Sequence, residues 1–233
     1  YALPVAATGI LGQLFNASDI AIVGNFAEGD TVAAVAAVGA NGPVIGLLLN
    51  IFIGIALGAN VVIANAIGRG DKETVSRAVH TSIVAAVLGG IIVGLLGQLL
   101  AEPVLSMLQV PEDVFPLALK YMRIYLLGLP VIFLYNFEAA IFRSAGDTKT
   151  PLVALALSGV LNVILNLFFV VVLNKTVDGV AIATVLANVV SSVVLLRRLL
   201  RSELFIHVEF KDLRIDWKIL WRILKIGVPA GIQ

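Results

Sequence analysis

Residues 151–173 read PLVALALSGVLNVILNLFFVVVL, 23 positions without one charged side chain and with Ser158, Asn162 and Asn166 as the polar interruptions. A helix rises about 1.5 Å per residue and needs about 20 mostly apolar positions to cross a hydrocarbon core about 30 Å thick. This stretch is long enough to span a bilayer, and the rest of the chain repeats the pattern. Hydrophobic residues make up 60% of the 233, charged residues 13%, and mean hydropathy is +1.04. Soluble domains sit near 45–50% apolar and about 25% charged. The sequence therefore predicts an all-α integral membrane protein, a six-transmembrane-helix bundle with spans at about 2–26, 32–67, 74–101, 114–144, 150–173 and 179–200. The second and fourth spans are too long for a perpendicular crossing. Each holds a breaker, GANGP at 39–43 and GLP at 128–130, so both are expected to bend, tilt or protrude.

Composition excludes several classes. With no cysteine the chain has no disulfide framework, zinc knuckle or thiol chemistry. A net charge of +1 gives no reason to expect a nucleic-acid partner. Tyr1 already lies inside an apolar run, so the natural N-terminus is expected to lie upstream, and no signal peptide can be judged.

The charges orient the bundle. Arg69, Lys72, Arg77, Arg143, Lys149, Arg197, Arg198 and Arg201, with the bases of the segment after residue 201, gather at one end of the helices. The opposite loops carry Glu28, Asp30, Glu102, Glu112, Asp113 and Asp178, with Lys120, Arg123 and Lys175 as their bases. By the positive-inside tendency, the N-terminus, the loops after spans 2, 4 and 6, and the linker are expected to be cytoplasmic, in a multi-pass protein of the cell inner (plasma) membrane.

Three domains follow: a transmembrane lobe at 1–200, a cytoplasmic linker at 201–225, and the start of a seventh transmembrane helix at 226–233. From Asp216 to Lys225 the linker alternates Trp217, Ile219, Leu220, Trp221, Ile223 and Leu224 with Lys218, Arg222 and Lys225, the pattern of an amphipathic helix in the membrane interface. The final IGVPAGIQ echoes ALPVAATGILGQ near the start, which suggests a second, related half.

Against this background Asp19, in LFNASDIAIVGNF at 14–26, is the anomaly. A charge at the centre of a spanning helix costs about 2.5–3.5 kcal/mol even on the lenient insertion scale. Counting inward from the outer ends of spans 1, 5 and 6 puts Asp19, Asn166 and Thr184 at one depth. Asn162 and Asn188 stand one turn deeper on their helices, and Asn16 shares the face of Asp19. A carboxylate among neutral amide and hydroxyl oxygens suits a hard cation such as Na⁺, and the same carboxylate can instead take a proton. The plainer alternative is hydrogen bonding between helices, worth about 0.6 kcal/mol per contact. That alternative suffices for any single asparagine, but polar glue does not require a charge. Glu138, with Arg143 and Asp147, reads as an interfacial charge cluster, and Gly42/Gly46, Gly54/Gly58 and Gly90/Gly94 as helix-packing surfaces.

NASDIAIVGNF, LLLNIFIGIALGANVVIANAIGRGD, FRSAGDTKTPL, LNVILNLFFV, DGVAIAT and the closing IGVPAGIQ together resemble the amino-terminal six-helix lobe of a bacterial multidrug and toxic compound extrusion (MATE) transporter. The resemblance covers nearly the whole chain. It implies the first half of a twelve-helix, two-lobe antiporter that exports small organic, often cationic, compounds by alternating access, driven by Na⁺ or H⁺ as the coupling ion and needing no cofactor. The second lobe and the lipid bilayer would be its partners. The family's first-helix carboxylate falls on Asp19 and its fifth-helix asparagine pair on Asn162 and Asn166, the positions where Na⁺ would be held; its small residues lining the cation site from helix six fall on Ala183 and Ala187. Pro4 matches a proline at which the first helix is proposed to bend. Some relatives carry a carboxylate where this chain has Asn166, which puts a two-carboxylate proton scheme in doubt. Asn16, Asn188 and Ala187 are candidates for substrate contact or for supporting the site.

Two other functions fit the residues less well. A lipid-linked glycan flippase would line its cavity with bases for the pyrophosphate, and none lies deep in spans 1, 2, 3, 5 or 6. An intramembrane aspartyl protease needs a second aspartate at the depth of Asp19, and there is none; GxSxG and HExxH are absent too.

Overall fold

The computed structural model describes residues 11, 14, 17–27 and 29–232. Its first helix, α1, is described over 17–26; α2 follows at Thr31–Gly68, α3 at Lys72–Met107, α4 at Phe115–Leu127 and α5 at Leu129–Ser144. Then come α6 at Lys149–Leu167, a π-helical turn at Phe168–Val172, α7 at Val177–Leu200, a 3-10 turn at Phe210–Asp212 and α8 at Trp217–Ile232. Four helices (α2, α3, α6 with its π turn, and α7) and the bent pair α4–α5 are long and apolar enough to cross a membrane. The described part of α1 is the C-terminal end of the first span read from the sequence. The protein is a helical membrane bundle.

Both breakers act, in different ways. The α4–α5 pair bends by 51° at Gly128. A side chain there would meet Val185 Cγ2 at 2.4 Å, and Pro130 opens α5 where its missing N–H costs nothing. By contrast α2 runs unbroken through Pro43. Its 38 residues rise about 57 Å, so this helix tilts or protrudes from the core. The Asn41 amide donates to Ala37 O at 2.8 Å and to Ala118 O at 3.0 Å, tying α2 to α4 at the same level. Asp30 caps α2 by accepting from Ala33 N at 2.9 Å, and Asp71 caps α3 by accepting from Thr74 N at 3.0 Å. Those bonds from Thr74 hold the Asp71 carboxyl below its ordinary value.

The small-residue pairs divide. Gly90 lies against the Pro130 backbone, Gly94 against Leu126 O, and Gly54 and Gly58 against the backbone of α8. Among the described residues nothing packs on Gly42 or Gly46: no atom lies within 4 Å of a Cβ built on either, and both line a cavity.

Residues 201–216 are pinned to α3. His80 Nε2 accepts from Glu209 N at 3.0 Å, Thr81 Oγ1 accepts from Asp216 N at 3.0 Å, and Arg77 pairs with Asp216 at 3.2 Å. A hydrogen bond from Lys211 holds the Glu209 carboxyl below its ordinary value. From Trp217 to Ile232 the chain is one helix, which crosses the 225/226 boundary; Ile219, Ile223 and Gly227 are buried, whereas Trp217 and Trp221 are exposed.

Candidate functional site

The polar residues of α1, α6 and α7 meet in one hydrogen-bonded cluster. Asp19, on α1, is 5% exposed. Asn166 Nδ2 donates to its Oδ1 at 2.5 Å, and Thr184 Oγ1 lies 3.3 Å from its Oδ2. Asn166 Nδ2 also reaches Asn162 Oδ1 at 3.1 Å, and Asn162 Nδ2 donates to Thr184 Oγ1 at 3.2 Å. These contacts have a local origin. Asn162 and Asn166 are four apart, so they stack on one face of α6. The π turn begins two residues after Asn166, and such turns widen a helix where side chains are re-aimed, often at functional sites. On α7, Thr184 Oγ1 also lies 3.0 Å from Val180 O, which anchors the side chain to its own helix.

Ala183 and Ala187 are buried in the α7 face, with Ser158 of α6 donating to Ala187 O at 2.9 Å. Asn188 donates to Thr184 O at 2.9 Å and so supports the cluster through the α7 backbone. Pro4 and the Asn16 side chain lie outside the described residues.

Asn166 Oδ1 is buried and has no hydrogen-bond partner among the described residues. The amide thus turns its nitrogen to the carboxylate and leaves an acceptor oxygen idle, a costly arrangement for a buried group. Asp19 contributes two oxygens, Asn162 and Asn166 one amide oxygen each, and Thr184 a hydroxyl; all are hard, neutral or anionic ligands of the kind a small cation takes. Among the described residues no group of three or more His, Cys, Asp or Glu could hold a metal ion. A cation here would rest on one carboxylate and neutral oxygens.

The cluster opens onto a cavity of about 310 Å³, walled by Asp19 and Thr184, by Tyr121 and Tyr125 of α4, and by Gly42 and Gly46 of α2. The two tyrosine rings stack with centroids 6.2 Å apart. Sequence reasoning missed both tyrosines, although their i,i+4 spacing on a span was visible.

Glu138 requires a correction. The interfacial charge cluster expected with Arg143 and Asp147 does not form: Glu138 is completely buried, and its Oε2 accepts from Ser192 of α7 at 2.9 Å. Lying six residues before the end of α5, the side chain is inside the bundle, where the bend at Gly128 tips the helix against α7.

Comparison with known proteins agrees with this architecture. The probable multidrug resistance protein YoeA of Bacillus subtilis (strain 168) is 31% identical over 211 residues, which is 87% of this chain and 45% of YoeA. A crystal structure of a MATE protein in a bent conformation superposes with a TM-score of 0.90 at 26% identity, covering 98% of this chain and 50% of that one. A multidrug resistance MATE transporter of the MOP superfamily, solved in an inward-facing conformation, gives 0.86 at 26% identity, covering 94% and 49%. The chain spans about half the length of the relatives it matches. Residues 4–168 match the MatE family, and with this fold the chain belongs to that family of membrane transporters.

Proposed function

We propose that the chain forms one lobe of a cation-coupled exporter of small organic, often cationic, compounds. Asp19 is the group that exchanges Na⁺ or H⁺ for cargo during alternating access. One observation carries this reading: a buried carboxylate, held by neutral amide and hydroxyl groups from two other helices, stands on the wall of an aromatic-lined cavity. No nearby base neutralises it, so a proton or cation is the partner that its charge calls for. Turning the Asn166 amide would bring its idle oxygen to Asp19 and convert a proton-type hydrogen-bonded cluster into an oxygen cage for Na⁺. The multidrug resistance proteins among its relatives support an organic cargo. In inside-out vesicles carrying the full-length protein, an imposed Na⁺ or proton gradient is expected to drive uptake of a fluorescent organic cation. Uptake indifferent to both gradients would end the coupled-exporter reading.

A glycan flippase fits less well. The bases of the fourth span are engaged at its outer end, Lys120 with Asp178 at 3.0 Å and Arg123 with Glu102 at 3.7 Å. None lines the cavity beside Asp19.

The same proposal sets the orientation, with residues 201–216 and the loops after α2 and α5 cytoplasmic. Single cysteines at Gln109 and Lys175 should react with an impermeant maleimide on intact cells, and cysteines at Arg69 and Glu203 only after lysis. All four positions are exposed. The reverse pattern would invert the bundle.

A further inference from the structure

Glu138 is the buried acid that the exporter reading leaves unused. It is 0% exposed; one carboxyl oxygen accepts from Ser192, and the other, Oε1, is buried without a partner among the described residues. We propose that Glu138 is a second proton-binding site of the lobe, set at the end of the bundle away from Asp19 and closed in this conformation. Its place in transport rests on the exporter reading; its existence as a proton site does not.

Position supports this. Thr184 touches Asp19 and Ser192 touches Glu138, so one helix serves both carboxyls. Their separation of eight residues corresponds to about 12 Å along α7. Asn188 and Ser191 lie between them, each hydrogen-bonded to the α7 backbone one turn back. The two acids therefore sit at different depths of one lobe, joined by a run of small polar side chains.

Chemistry selects the ligand. Hard metal cations take about six oxygen ligands. Glu138 and Ser192 together offer three. A proton needs one oxygen, and Oε1 is free to carry it. An ionised carboxylate here would keep one neutral donor and no counter-charge, the arrangement that buried charges avoid.

The surrounding charged groups do not supply one. On its own helix Tyr135 and Arg143 flank Glu138, and among the described residues neither pairs with it. On α3, Arg77 is engaged with Asp216 and His80 with the Glu209 backbone. Arg197 and Arg198 of α7 are exposed, as is Arg69 just after α2; Lys149 begins α6 and Lys120 and Arg123 of α4 pair at the other end. Because Glu138 is sealed, its proton can leave or arrive only when the seam between α5 and α7 opens, which ties occupancy to conformation.

Infrared difference spectroscopy of the full-length protein in lipid vesicles, taken between acid and alkaline pH, tests this directly. The wild type should show a carboxylic-acid carbonyl band that Glu138→Gln loses and Asp19→Asn keeps. Ser192→Ala, which removes one hydroxyl, should retain that band at a changed frequency and carries the test if Glu138→Gln does not fold. Spectra of Glu138→Gln that match wild type, or a band unmoved by Ser192→Ala, would overturn the second site. That outcome leaves Asp19 untouched, whereas an Asp19→Asn protein that still exports would sink the exporter reading while leaving Glu138 standing.

Discussion

Asp19→Asn in the full-length transporter is expected to express and fold normally and to reduce gradient-driven export to background. The substitution preserves size and the contacts to Asn166 and Thr184, since an amide can accept from one and face the other. What it removes is the ability to take up and release a cation or proton. Neutral ligands should behave differently. Asn162→Ala and Asn166→Ala each delete one oxygen, and about 1 kcal/mol per lost contact corresponds to about fivefold weaker apparent affinity for the coupling ion. Maximal export should survive in part when that ion is raised. Vesicle uptake against ion concentration separates the two behaviours. If Asp19→Asn exported like wild type at normal abundance, the cluster would be structural, and the coupling group would have to be sought elsewhere.

Much of this site was legible because membrane helices impose a ruler. Each span has a fixed rise and a fixed direction, so counting from its outer end gave the depth of Asp19, Asn166 and Thr184 before any contact was known. The i,i+4 rule then put Asn162 beneath Asn166. Depth says nothing about azimuth, and there the sequence fell short. Tyr121 and Tyr125 carry no charge and no unusual spacing, so their place on the cavity wall came only with the packing of α4. Gly42 and Gly46 look the same in sequence as Gly54 and Gly58, yet one pair faces a cavity and the other a helix. Glu138 was misread for a related reason. Its nearness in sequence to Arg143 suggested a shared surface, whereas the side chain turns inward to Ser192, 54 residues away.

A backbone-to-backbone contact between α2 and α8 gives a large stability effect. Gly54→Val in α2 is expected to destabilise the protein strongly, and Gly42→Ala on the same helix to leave it unchanged or slightly more stable. A Cβ on Gly54 would stand 2.4 Å from Gly231 Cα and N and 2.6 Å from Gly227 O. Those neighbours are backbone atoms of α8 and cannot swing aside as a side chain could. Gly227 is equally constrained from the other side, its own Cβ falling 2.5 Å from Ile55 Cα. Small residues let helix backbones approach closely where lipid offers no hydrophobic drive for association. Valine must therefore push α8 away from α2 and expose part of the surface that Ile219 and Ile223 bury. Overpacking of this kind costs about 1–3 kcal/mol, occasionally more. At Gly42 no described atom lies within 4 Å of the added methyl, and alanine gains up to about 1 kcal/mol of helix propensity over glycine. Thermal unfolding of the purified full-length variants measures both. A Gly54→Val protein as stable as wild type would mean that α8 does not cross α2 at these glycines, and the opposite signs predicted for two glycines of one helix would have no basis.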